Sequence, residues 1–125
     1  FLHEHNFIHR DLKPSNILFI NRNHLVICDL GIVTDRAVMS DADAGDVDEE
    51  RTWALGTAMY MAPEQSGWLY SYKVDIFALG LILAELCVPL TTEERRTVFN
   101  NYRCGQEVTA LNHLQEMEIL VNMLT

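Results

Sequence analysis

Basic residues are scarce in this chain. Its 125 residues carry 9 Lys and Arg against 18 Asp and Glu, a formal net charge of −9. A surface that neutralises phosphate backbones needs the opposite sign, so general nucleic-acid binding through this segment is not expected. Cysteine is sparse too. Cys28, Cys87 and Cys104 are odd in number, far apart, and form no C-x-x-C pair. Neither a zinc ribbon nor a disulfide framework fits that pattern; reduced thiols in a cytosol-like compartment do. Long apolar runs are missing as well. The longest, Ile76 to Ala84, has nine residues and is closed by Asp75 and Glu85. A bilayer span needs about 20. No basic-then-apolar signal opens the chain.

What is present is globular. The chain is 49% hydrophobic and 22% charged, unlike a disordered tail. The length suits one ordinary domain and not two. The acidity is concentrated: Asp35, Asp41, Asp43, Asp46, Asp48, Glu49 and Glu50 fall within residues 35–50, opposed there by Arg36 alone. The rest of the chain is near balance.

The order of segments can be read along the chain. Phe1-Leu2-His3 reads as the last turn of a helix already under way. Ile17 to Ile20 and Leu25 to Cys28 are short apolar runs around the polar turn 21–24, which predicts a buried β-hairpin. Residues 33–53 hold the acidic tract and little apolar pattern, and are expected to form a mobile loop. Pro63 suits the start of a short helix. Tyr72 to Val88 is apolar on nearly every face, as in the buried centre of a larger domain, and Pro89 closes it. Thr92 is expected to cap a further helix reaching about Arg103. Leu111 to Leu124 has helical spacing and stops at Thr125, so both ends are expected to be cut.

Three blocks carry chemistry: His9-Arg10-Asp11-Leu12-Lys13-Pro14-Ser15-Asn16, then Asp29-Leu30-Gly31 thirteen residues after Asn16, then Ala62-Pro63-Glu64. In this order and spacing they resemble the second half of a eukaryotic protein kinase domain. Taken singly, Asp11 and Asp29 read as turn acids and Lys13 as a solvated charge; the constellation reverses that. The chemistry also makes sense independently. Phosphoryl transfer needs positioning and charge neutralisation more than covalent chemistry. Asp11 can accept the proton of an attacking hydroxyl. Lys13, two residues along an extended loop, points the same way and can meet the transferring phosphate. Asn16 and Asp29 offer the oxygen ligands that Mg²⁺ prefers. Gly31 permits a sharp turn beside the metal. His9 is expected to be a packed structural histidine. His3 and His5 diverge on a helix end, which argues against metal binding.

The resemblance implies more. It gives an α+β fold class: the mainly helical large (C-terminal) lobe of a kinase, with a short β-hairpin at the catalytic loop. Residues 1–125 would be a partial domain, inactive on its own. No G-x-G-x-x-G occurs, so the small lobe, with its Gly-rich loop and phosphate-gripping Lys, is the absent partner. Asp11 and Lys13 would be catalytic, and Asn16 and Asp29 would bind ATP through Mg²⁺. Glu64 and Asp75 would be structural, Glu64 pairing an Arg beyond Thr125. Leu12-Lys13-Pro14 and Gly56-Thr57 resemble the serine/threonine branch, Thr57 being the residue that would bond Asp11 and Lys13. Tyr60-Met61-Ala62-Pro63-Glu64-Gln65, Lys73-Val74-Asp75-Ile76-Phe77 and Leu79-Gly80-Leu81-Ile82 narrow it further. They resemble the kinases of the alpha subunit of eukaryotic translation initiation factor 2, the endoplasmic-reticulum stress type being nearest in motif. Pro89 to Arg95 resembles the entry into that family's substrate-docking helix, shifted by about one residue.

That family implies a protein substrate, action on the cytosolic side with a parent that could be membrane-anchored, and scope for a homodimer of the full-length protein. Thr52, five residues before Thr57, would be the activating phosphothreonine, with Arg10 as its phosphate pocket and Ser40 as a competitor. Leu30 stands where the family usually has Phe, and keeps an apolar plug. Asp11, Lys13, Asn16 and Asp29 are all present, which favours an enzyme over a pseudokinase.

Overall fold

The computed structural model describes residues 1–30, 34–35, 58–67, 70–106 and 108–109, with only the backbone of 34 and 35. The acidic tract, Gly31, Ser40, Thr52, Thr57, Trp53, Trp68 and the expected helix Leu111–Leu124 lie outside these residues.

The fold is built around one helix. Helix α1 spans Lys73–Cys87, and Val74, Asp75, Phe77, Ala78, Gly80, Leu81, Ile82 and Ala84 along it are buried. Burial on nearly every turn follows from the all-round apolar sequence, as expected. The helix ends at Val88, whose extended backbone precedes Pro89, a residue that disfavours a helical neighbour before it. Around α1 gather Ile8 and Leu12 from the N-terminal segment, Tyr60 and Ala62 from the middle, and Phe99 from the last helix. Leu81 is fully buried at the centre, a burial worth about 1.5–3 kcal/mol.

Helix α2 spans Thr92–Arg103. Its N-cap is Thr91, not the expected Thr92. The Thr91 hydroxyl accepts from the Glu94 amide at 3.3 Å, and Glu94 Oε2 accepts from the Thr91 amide at 2.9 Å. A capping box needs Glu or Gln three residues on, and only Thr91 has one; Thr92 has Arg95 there. The Thr91 hydroxyl also donates to Glu94 Oε2 at 2.7 Å, and that bond first, then the one from the Thr91 amide, holds the Glu94 carboxyl below its ordinary range.

Four short strands complete the described fold. β1 (Phe7–Ile8) pairs antiparallel with β4 (Thr34–Asp35), in the register Phe7 to Asp35 and Ile8 to Thr34. β2 (Ile17–Asn21) pairs antiparallel with β3 (His24–Ile27), Ile17 facing Ile27 and Leu18 facing Val26. The predicted hairpin is there, but it is not buried. Leu18, Phe19, Ile20, Leu25 and Ile27 are exposed, Phe19 by 74%. Only Ile17 packs on the core. A strand pair apolar on both faces needs a layer on each, and the described residues supply part of one. Single 3-10 turns fill the gaps: His3–His5 at the N-terminal side, Pro14–Asn16 before β2, and Ala58–Tyr60 and Pro63–Ser66 between the strands and α1.

Candidate active site

The segment from His9 to Asn16 leaves β1 and runs across α1 before entering the hairpin. Its anchor is Asp75, in the first turn of α1, with only 2% of its surface exposed. Asp75 Oδ2 accepts from the His9 amide and Oδ1 from the Arg10 amide, both at 2.9 Å. His3 Nε2 lies 2.8 Å from Oδ2. Two backbone donors on one carboxylate fix the local path of the chain. They fix it in an uncommon form: Arg10 has φ +67°, left-handed for a non-glycine residue. Gln65 adds a further hold, its side-chain amide donating to the Arg10 carbonyl at 2.8 Å. The Arg10 guanidinium donates to the Tyr70 hydroxyl at 3.0 Å. His9 is fully buried, as expected. Its Nδ1 accepts from the Asp11 amide at 3.3 Å, which leaves Nε2 to donate to the Cys28 carbonyl at 3.2 Å. One ring therefore ties Asp11 to the end of β3.

Asp11 follows, its side chain 12% exposed. Lys13 Nζ donates to Asp11 Oδ2 at 2.6 Å. Between the two, Leu12 turns into the core and pins the loop. Asn16 Nδ2 donates to the Asp11 carbonyl at 2.9 Å, with a longer contact to Oδ2 at 3.4 Å. Asp11 Oδ1 is the exception. It is buried and has no partner among the described residues. A buried carboxylate oxygen left open costs free energy unless something else fills the position.

The same bonds orient Asn16. Because its Nδ2 is committed to Asp11, its side-chain oxygen is the end left to accept from or bind another group. Asn16 is joined to β3 by its main chain, whose carbonyl accepts from the Cys28 amide at 2.9 Å. The next residue is Asp29, exposed and with φ +65°. The bond at Cys28 brings the Asp29 backbone beside Asn16, while the turn expected at Gly31 lies outside the described residues. An amide oxygen and one carboxylate suit Mg²⁺, which keeps several waters and takes one or two carboxylates from a protein. Among the described residues no group of three or more His, Cys, Asp or Glu could hold a metal. His3 and His5 do diverge: His3 reaches Asp75, and His5 Nδ1 lies 2.8 Å from the Phe1 carbonyl.

The structure therefore brings Asp11, Lys13 and Asn16 into direct contact, couples Asp29 to them through the backbone, and places Asp75 beneath as the anchor. Arg10 is adjacent; its expected partner Thr52, and Thr57, lie outside the described residues. Glu64 is exposed in the Pro63–Ser66 turn and makes no ion pair among the described residues. Sequence reasoning missed Gln65, Tyr70 and His3 as supports. Their partners are backbone or distant side chains, and no local spacing signals them.

Comparison with known proteins gives a consistent result. The protein kinase domain family matches residues 1–122. Eukaryotic translation initiation factor 2-alpha kinase 3 of Rattus norvegicus is 44% identical over 110 residues, covering 77% of this chain and 9% of that protein. The interferon-induced, double-stranded RNA-activated protein kinase of Mus musculus is 39% identical over 127 residues, covering all of this chain and 23% of its own. The eIF-2-alpha kinase GCN2 of Homo sapiens is 37% identical over 118 residues, 82% of this chain and 7% of its own. The chain spans less than a quarter of the length of each of these relatives.

Proposed function

This chain belongs to the protein kinase family, and from that premise we propose that it carries the catalytic-loop half of a serine/threonine kinase acting on the alpha subunit of translation initiation factor 2. The observation that carries the reading is Asp11: one carboxylate oxygen held by Lys13, the other buried and open. That open oxygen is an acceptor set for the proton of a substrate hydroxyl. As the hydroxyl oxygen bonds to the γ-phosphorus of ATP, the bond to the β–γ bridging oxygen breaks and ADP departs. The hydroxyl proton passes to Asp11. Lys13, beside Asp11 and two residues on, meets the charge of the transferring group. Asn16 and Asp29 would hold Mg²⁺. When bound, the ion neutralises phosphate charge and aligns the γ-phosphoryl group. Asp75 and Gln65 keep the loop in the shape that presents Asp11.

In this reading the described residues are the large-lobe part of the domain, and the exposed apolar hairpin faces the small lobe. The site would act on the cytosolic side, where translation initiates, whether or not the full-length protein is membrane-anchored. The relatives named as translation initiation factor 2-alpha kinases support the choice of substrate.

The test is phosphate transfer from ATP to that alpha subunit by the full-length protein with Mg²⁺. Asp11→Asn should abolish transfer, and Asp29→Asn should nearly do so, its residual rate needing more Mg²⁺ than the wild type. Wild-type rates in both variants would sink the assignment.

A further inference from the structure

Arg10 is gripped from one short stretch of chain. Its amide donates to Asp75 Oδ1, its carbonyl accepts from the Gln65 side-chain amide at 2.8 Å, and its guanidinium donates to the Tyr70 hydroxyl at 3.0 Å. The three partners all fall within residues 65–75. They divide the work. Asp75 holds the His9 and Arg10 amides, which belong to the two peptide units that precede the Arg10 α-carbon. The next unit, from Arg10 to Asp11, bonds elsewhere. Its N–H meets His9 Nδ1 at 3.3 Å, a long bond, and its carbonyl meets Gln65 at 2.8 Å. Rotation about the Cα–C bond of Arg10 carries Asp11 with it. The carbonyl bond is therefore the tighter control on where Asp11 stands.

The base that carries Gln65 is stiff. Pro63–Ser66 is a 3-10 turn with proline in its first positions. The Gln65 backbone amide donates to the Ala62 carbonyl at 3.1 Å, and the Gly67 amide to the Glu64 carbonyl at 2.9 Å. Ala62, just before the turn, is buried in the core. Chemistry then restricts what can stand at residue 65. A carbonyl only accepts, so its partner must donate. Gln supplies an N–H. An ionised Glu of the same size presents only oxygens, and Met of similar size has no donor at all. Tyr70 is the complement on the side-chain end. Its ring packs against the core, and its hydroxyl oxygen receives the Arg10 N–H.

We propose that Gln65 and Tyr70 are positioning residues that act on Asp11 through Arg10: Gln65 sets the peptide unit leading into Asp11 by donating to its carbonyl, and Tyr70 holds the Arg10 side chain to the same stretch of chain. The inference rests on the kinase reading above and adds a requirement to it, that residue 65 be a hydrogen-bond donor. Its effect falls on the chemical step, because the unit held by Gln65 aims the open oxygen of Asp11.

The experiment follows phosphate transfer by the full-length protein to the alpha subunit of translation initiation factor 2, reading the single-turnover rate at saturating ATP and the KM for ATP. Gln65→Met keeps the size and loses the donor; its rate should fall roughly tenfold, short of the hundredfold that a displacement of about 1 Å costs. Gln65→Glu sets an acceptor against an acceptor and should fall further. Gln65→Lys restores a donor and should recover to within about threefold of wild type. Tyr70→Phe keeps the ring and should slow transfer about threefold, which tests the proposal even if the Gln65 variants fail to fold. The KM for ATP should stay within about twofold throughout. A packing role alone would order the variants by size and not by hydrogen donation. Wild-type rates for Met and Glu, no gain with Lys over Met, a wild-type rate in Tyr70→Phe, or losses confined to the KM for ATP would overturn the proposal while leaving the kinase reading intact. A wild-type protein that transfers no phosphate would overturn the reading and the proposal together.

Discussion

Replacing Asp75 tests whether the active loop is shaped by its anchor. In Asp75→Ala the His9 and Arg10 amides lose their shared acceptor. Each unsatisfied donor costs about 1–3 kcal/mol, the upper end applying to the fully buried His9 side. The chain has one way to recover part of this. Arg10 at φ +67° is in a conformation that costs a non-glycine residue about 1–2 kcal/mol, and without Asp75 it is free to relax. The net loss should be about 2–4 kcal/mol. A domain of ordinary stability survives that at 25 °C. Activity should not survive it, because relaxation of Arg10 swings Asp11 away from Lys13 and Asn16. A shift of about 1 Å is enough for roughly a hundredfold loss of kcat. Asp75→Asn keeps one acceptor oxygen but presents an amide group to the other backbone N–H, so it should fall between wild type and Ala. The measurements are hydrogen exchange at the His9 and Arg10 amides and kcat for phosphate transfer, both on the full-length protein. Fast exchange at those two amides with a large fall in kcat is the expected pair of results. Unchanged exchange at Arg10 together with wild-type kcat in Asp75→Ala would refute the reasoning.

Other consequences are open to direct measurement. Thr91→Ala removes the N-cap of α2 and should cost about 1 kcal/mol in chemical denaturation; an equal loss from Thr92→Ala would contradict the cap assignment. The Glu94 carboxyl is held low by Thr91, so its contribution is present above the ordinary carboxylate range and is lost as the pH falls through its lowered value; the acid limb of the stability curve should flatten in Thr91→Ala. The Tyr60 phenol is raised above its ordinary value of 10.0, first by burial and then by Glu85. The folded state therefore holds this proton more tightly than the unfolded state, and stability should fall as the pH rises above about 10. Tyr60→Phe should make stability less sensitive to pH above about 10. We propose that Thr52 is the activating phosphorylation site: mass spectrometry of active protein should find phosphate there, and Thr52→Ala should lower the rate several-fold. A fully active protein with unmodified Thr52 would exclude that role.

Much of the candidate loop was legible because its contacts are local. Asp11, Lys13 and Asn16 lie within six residues, and the bonds among them are of short range in sequence. The central helix was legible for a related reason: an apolar residue on nearly every face has no stable solvent-exposed arrangement. The start of α2 was legible too, in the Thr91 to Glu94 spacing, yet the expectation fell on Thr92 because the two threonines adjoin and only the position of Glu94 separates them. The hairpin shows the opposite limit. Its pairing follows from two short apolar runs around a polar turn, but its burial depends on what else packs there, and sequence pattern carries no information on neighbours.

By itself, then, the sequence determined the family, the central helix and the close grouping of Asp11, Lys13 and Asn16, because each is written in residues close together or in a periodic run. Only the tertiary structure decided how the set is held. The anchor of the loop is a carboxylate more than sixty residues away from His9 and Arg10. The left-handed Arg10, the bond from Gln65 and the Tyr60–Glu85–Arg95 cluster likewise join segments that have no common spacing. Directional bonds of this kind exist only once hydrophobic burial has brought α1 beneath the loop. Burial is non-directional and is encoded by composition and period; the donors and acceptors it brings face to face are set by the geometry of packing.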